Sequence, residues 1–171
     1  MSEKHEERKY FKMRWDLIEK FEVLKKGRYT RALKSYSGKE DFFRENFPGR
    51  PLVPEPLFVE MIAQAGGVLY GLGFDFEKEV ILAKIESAKF FKPVPPPCHF
   101  VIEATIEEER EDAAWIKGLV RSNGQIVAEA KVLLAAVELL AERQNQKVVF
   151  NDHFLKYFDV YNVAKISEGV C

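Results

Sequence analysis

Two polar side chains, Glu60 and Gln64, interrupt an otherwise apolar run from Leu57 to Leu72. Four positions apart, they share one face of any helix built from that run. Burying an unpaired charge is costly, so an acid placed there needs a partner, a retained proton, or both. Such a carboxyl is equipment for proton transfer. It is equally what a satisfied buried polar pair at an interface would look like, with no chemistry attached. Ahead of the run lies a loop punctuated by Pro48, Pro51, Pro54 and Pro56, and Asn46 stands fourteen residues before Glu60. Asn exchanges hydrogen bonds but cannot take up a proton.

The elements that must hold these residues are legible in outline. The run is predicted as a helix over Leu57–Leu72, with Pro56 in its first turn where a missing N–H does no harm. A helix hydrophobic on every side is a buried one. Small residues at Ala63, Ala65, Gly66 and Gly67 would let another backbone come close. Strand signals surround it: Arg28–Tyr36, Glu79–Ile85, Ala88–Phe91, Phe100–Glu107, Ala114–Ser122 and Gln125–Leu139. Asn123-Gly124 is a strong hairpin signal, because both central positions of a type I′ turn need positive φ. Glu107–Asp112 reads as a solvated hairpin turn, and the prolines at 93 and 95–97 as a sheet break or edge. Trp15–Val23 reads as a short amphipathic element, and Asp41–Glu45 as a lead into the proline loop. Antiparallel strands around one buried helix make an α+β layer arrangement. The organisation expected is a polar lead-in over 1–12, one domain over 13–140 and an extension over 141–171 whose aromatic-rich helix docks on the surface.

Composition narrows the function classes. The chain has 171 residues, 47% hydrophobic and 13% aromatic, which suits one folded domain with a substantial core. A net charge of −1 with interspersed signs gives no basic footprint for nucleic acid or an anionic membrane. The apolar run, broken by Glu60 and Gln64, falls short of the roughly 20 residues of a membrane span. The charged N-terminus, lacking an apolar core, does not read as a secretory signal. Two cysteines, Cys98 and Cys171, read as free thiols of a cytoplasmic protein. No metal-ligand spacing or Gly-rich phosphate loop appears, so no cofactor is expected.

The central stretch resembles the FabZ branch of the 3-hydroxyacyl-(acyl carrier protein) dehydratases. That family pairs Gly-His-Phe-Pro and a proline loop with a helix carrying a catalytic Glu and, four residues on, a Gln. Phe47-Pro48, Pro51, Pro54, Glu60, Ala63-Gln64 and Gly66-Gly67 match, and similarity extends from about Met13 to Glu138. The resemblance implies a hotdog fold, a long buried helix wrapped by a curled antiparallel sheet, and an acyl thioester on acyl carrier protein or CoA as ligand. It implies Glu60 as catalytic acid and the Gly67 backbone amide as a donor to the thioester oxygen. It also implies substrate contacts from Phe47, Pro48 and Gln64. Phe90 and Phe91 are candidates for an acyl tunnel, of which adjacent strand residues can supply only one. The aromatic residues at 150–161 are expected to dock the C-terminal tail.

The departures bear on the reaction. The family's catalytic His falls at Asn46, its preceding Gly at Glu45, and its loop-closing Gly at Glu55. His5, His99 and His153 lie outside the motif. Glu45, His99 and Asp41 are poor substitutes for the missing base. Three readings therefore stand open. One is a thioester-binding dehydratase relative with weak or absent activity alone, a homodimer or higher homo-oligomer, or a subunit completing the site of a His-bearing partner. The second is a hotdog thioesterase with Glu60 as base and Asn46 orienting water or carbonyl. The third is a purely structural Glu60–Gln64 pair.

Overall fold

The computed structural model describes residues 17–46, 49–138 and 149–169. Six antiparallel strands and one long helix dominate it. The strands are β1 (Lys20–Lys25), β2 (Tyr29–Tyr36), β3 (Glu79–Phe90), β4 (Cys98–Arg110), β5 (Ala113–Ser122) and β6 (Gln125–Val137). They form one sheet in the order β1-β2-β4-β5-β6-β3. The helices are α1 (Asp41–Glu45), α2 (Pro56–Gly71), α3 (Asp152–Tyr157) and α4 (Val160–Gly169), with a 3₁₀ turn over Leu72–Phe74. This is the α+β hotdog arrangement the resemblance implied.

Alternation in the strands decides which face meets α2. Thr30, Ala32 and Tyr36 on β2, Phe100, Ile102 and Ala104 on β4, and Ile116 and Val120 on β5 are buried. Their neighbours point outward, as a period of two requires. Helix α2 packs on the inner face through Phe58, Met61, Ile62, Ala65, Val68 and Leu69, all nearly inaccessible. It is long and apolar enough over Pro56–Phe74 to cross a membrane, but 72% of that window is buried within the fold, which marks a core helix.

Close contact here is side chain on backbone, not backbone on backbone as the small residues had suggested. A Cβ on Gly66 would lie 2.7 Å from Ile116 Cγ2, and one on Gly118 would lie 2.3 Å from Ile62 Cγ2. Each glycine is a socket for a β-branched side chain from the facing layer. At the end of α2, Asp75 and Phe76 take positive φ and the Phe76 amide donates to Gly71 O at 2.9 Å. This folds the Phe76 ring back onto Gly71.

Several strand boundaries differ from the expectations. Residues 20–25 form β1 rather than an amphipathic element, with Phe21 and Leu24 buried, while residues 15–16 lie outside the described ones. The two segments read around Glu79–Phe91 are one strand, interrupted only by register shifts at Leu82/Lys84 and Ile85/Ser87. The acidic run is mostly strand: Glu108, Glu109 and Arg110 pair with Trp115, Ala114 and Ala113, leaving only Glu111 and Asp112 in the turn. Exposed positions on a hairpin arm tolerate charge, so polarity alone could not tell arm from turn. Asp41–Glu45 closes into helix α1, anchored by buried Phe43. The Asn123-Gly124 turn has both residues at positive φ, as expected.

The C-terminal segment is an integral part of the core. Asn151 caps α3 by accepting from the Phe154 amide at 2.9 Å. Phe150, Phe154, Phe158 and Val160 are buried. Phe158 meets Phe21 edge-on at 5.7 Å, and α4 lies along β1, where the Leu24 amide donates to Ser167 Oγ at 3.0 Å.

Candidate active site

Glu60 lies one turn into α2 and is half-buried. Burial raises its carboxyl above the ordinary value, and the hydrogen bond from Gln64 opposes that rise only in part. Gln64 Nε2 donates to Glu60 Oε1 at 3.1 Å, and Gln64 Oε1 accepts from the Leu17 backbone amide at 3.2 Å. The Leu17 N–H has only a donor to offer, so it fixes which end of the Gln64 amide faces the acid. The result is a carboxyl held in one direction while keeping its proton to higher pH than usual. The Leu17 contact could not have been read from sequence, since a backbone amide leaves no signature.

Asn46 ends α1. Its backbone N–H and its Nδ2 both donate to Phe42 O, at 3.1 Å and 3.0 Å. The carbonyl's residue is held in turn by ring contacts with Tyr36 at 5.1 Å and with Phe43 at 4.4 Å. Asn46 is exposed, and among the described residues no hydrogen bond joins it to Glu60. Phe47 and Pro48, read as substrate contacts, lie outside the described residues. The loop beyond them is tied down where the Val53 amide donates to Val94 O at 2.9 Å.

Gly67 is mid-helix, where its N–H belongs to the helix's own i−4 ladder. It also carries an aromatic ring: a Cβ there would lie 2.7 Å from Phe150 Cζ. The Gly67 amide, a donor to the thioester oxygen by resemblance, thus already has an acceptor within the helix. Phe90 is half-buried at the end of β3 and packs against the core. Phe91 is 54% exposed and leaves the core altogether, so Phe90 alone of the two lines the interior.

The remaining candidates fall away from Glu60. His99 sits on the outer sheet face, its Nδ1 3.0 Å from Ser35 Oγ. It lines a groove of about 580 Å³ with Arg31, Glu103 and Arg121. There Glu103 is held below its usual range by the bond from Arg121 Nε at 2.8 Å and is met by Tyr29 Oη at 2.8 Å. The sheet separates this groove from α2. Asp41 pairs with Arg44. Cys98 is a buried thiol pushed up to about 11 by burial, while Cys171 lies outside the described residues.

A family model described as a FabA-like domain matches residues 8–131. The 3-hydroxyacyl-(acyl-carrier-protein) dehydratase FabZ of Hydrogenobaculum sp. is 36% identical over 126 residues, 72% of this chain and 85% of that protein. The chain belongs to the FabZ-type hotdog family. Among solved structures, the dehydratase heterocomplex ApeI:P from Xenorhabdus doucetiae matches with a TM-score of 0.64 at 13% identity, covering 78% of this chain and 90% of that one. A thioesterase, HI1161 from Haemophilus influenzae, matches with a TM-score of 0.54 at 16% identity, over 66% and 74%. At such identities these two show a shared fold and nothing of the reaction. Within the FabZ-type family, then, this chain presents one oriented acid on its central helix and an amide-bearing residue at the end of α1.

Proposed function

We propose that this chain binds acyl thioesters carried on acyl carrier protein or CoA, with Glu60 as the acid of the inherited site, and that alone it dehydrates 3-hydroxyacyl thioesters weakly or not at all. The observation that carries the reading is the asymmetry between the two positions. Glu60 is desolvated, proton-retaining and oriented by Gln64. Asn46 has no proton-accepting atom, and its Nδ2 is committed to Phe42 O. Dehydration needs a base for the C2 proton and an acid for the departing hydroxyl. Losing a general base typically costs about 10²–10⁴ in rate.

The same asymmetry favours assembly with a second subunit. Edge strand β3 is exposed over nearly its whole length, with Ile81, Leu82 and Ile85 outward. An unpaired edge of this kind is a template for another strand, and two copies would meet there about a two-fold axis. A His-bearing relative presenting the same edge would form a heterodimer in which Glu60 serves a complete pair. The matching Xenorhabdus assembly, itself a dehydratase heterocomplex, supports that version. The protein would act in the cytoplasm, a reading the free thiol of Cys98 supports.

The decisive assay supplies the purified chain with a short trans-2-enoyl thioester and follows hydration and thiol release in parallel. The expected outcome is binding with hydration far below that of a FabZ enzyme, restored by adding a His-bearing subunit. Rapid hydration by the chain alone would overturn the reading. Release of free thiol, lost in Glu60→Gln, would assign the chain as a thioesterase instead.

A further inference from the structure

The outer face of the sheet carries a groove of about 580 Å³ in which Glu60 has no part. Small-molecule sites typically occupy about 300–1,000 Å³. Strand register builds this one. Across β2 and β4, Arg31 pairs with Glu103, Leu33 with Val101 and Ser35 with His99, while Val101 pairs in turn with Arg121 on β5. Directly opposed residues share a face, so these side chains stand together on one side of the sheet. Leu33 and Val101, both half-buried, form an apolar floor. Arg31 stands at one end of the floor, Ser35 and His99 at the other, and Arg121 along its β5 side. Arg121 Nε donates to Glu103 Oε2 at 2.8 Å, and Arg31 Nε lies 3.2 Å from Glu22 Oε2. Among the described residues neither arginine has a further hydrogen bond or ion pair, so the terminal nitrogens of both remain as donors. Arg31, Lys34 and Arg121 against Glu103 leave the lining net positive. The other oxygen of Glu103 is taken by Tyr29 Oη at 2.8 Å, so the acid of the lining is spent on the protein's own groups.

We propose that this groove binds a small phosphate monoester, its phosphate between Arg31 and Arg121 and its apolar body on Leu33 and Val101. Guanidinium groups match phosphate oxygens in geometry as well as charge. The two arginines stand two strand gaps and two residues apart, a Cα separation of about 12 Å, which two long side chains close around one tetrahedral anion. The groove runs about 14 Å from Arg31 to Ser35, enough for the phosphate and a body the size of one ring. At the far end His99 Nδ1 lies 3.0 Å from Ser35 Oγ, which leaves Nε2 to meet a polar substituent on that body. The sheet stands between this groove and α2, so the site is independent of the chemistry assigned to Glu60.

The test titrates phenyl phosphate, inorganic phosphate and phenol into the purified full chain in the oligomeric form it adopts, read by calorimetry and by amide NMR shifts. Arg31→Gln and Arg121→Gln are titrated beside the wild type, with thermal denaturation of each. Arg31 lies on an exposed position and its variant keeps the test in force should loss of the Arg121–Glu103 bond disturb the fold. Expected is saturable binding of phenyl phosphate, with shifts centred on residues 31–35, 99–103 and 121–124. It should be about tenfold tighter than inorganic phosphate or phenol, and weakened about tenfold by either substitution. Failure of phenyl phosphate to saturate, shifts centred elsewhere, or affinity unmoved in both variants would overturn the site. Inorganic phosphate binding as tightly as phenyl phosphate would overturn it too, since the apolar floor would then hold nothing.

Discussion

Gln64 has its two polar ends assigned by two different partners, the Leu17 amide and the Glu60 carboxylate. Replacing it with Leu removes the one hydrogen bond that holds the Glu60 carboxyl down, so that carboxyl should titrate at still higher pH than in the wild type. Carbon-detected NMR titration of the Glu60 carboxyl would show the change, and an unmoved or lowered midpoint would refute it. The raised value also has a sign for stability. The folded protein holds this proton more tightly than the unfolded chain. Glu60 therefore contributes fully below the ordinary carboxylate range, and that contribution falls as pH rises through the folded value. Denaturation midpoints of wild type and Glu60→Gln, compared across that range, should diverge in favour of the variant as pH rises. At this scale the acid and its amide partner were legible as two polar residues at helical spacing. The engagement of the Gly67 N–H within the helix was legible as well, since the predicted span Leu57–Leu72 already places that residue in the interior.

Among the elements, the fit of α2 on the sheet is a set of glycine sockets, and one of them gives a direct measurement. Gly118→Ala would place a methyl 2.3 Å from Ile62 Cγ2, against a β-branched side chain already enclosed by the core. Overpacking of this kind costs about 1–3 kcal/mol, and the variant should lose that much in chemical denaturation. A second measurement belongs to the C-terminal helix α4. Ser167→Ala leaves the Leu24 amide, wholly buried, without its acceptor. That should destabilise the fold by about 1–3 kcal/mol. The periodicity of α2 and of the strands was readable because each buries one side or all sides of a regular element. What could not be read was the strand character of Glu108–Arg110, whose pairing partners carry the information. Nor could the sequence show that the extension's aromatic rings would meet α2 and β1 rather than merely rest on the surface.

For the molecule as a whole, the exposed β3 edge makes a prediction about association. Ile85 is 50% exposed near the middle of that strand, with Ile81 and Leu82 beside it. Ile85→Lys places a charge where two copies would meet and should shift the chain toward a monomer, by light scattering after size-exclusion chromatography. An unchanged mass would place the proposed interface elsewhere. The family and its fold were accessible from the loop and helix motif alone, while the proposed association rests on which strand is left without a neighbour, a property of sheet order.

The two rims of that sheet are treated differently. At β1, helix α4 lies along the strand and Ser167 takes up the Leu24 amide, while β3 carries no such cover among the described residues. A sheet with one blunted rim and one bare one can join another of its kind once and then has nothing further to offer. In the proposed pairing through β3, Ser167 and the helix that brings it would then act as a chain terminator for self-assembly. Truncation before Val160 would leave both rims bare, and the expected product is an open-ended fibre rather than a smaller or weaker dimer.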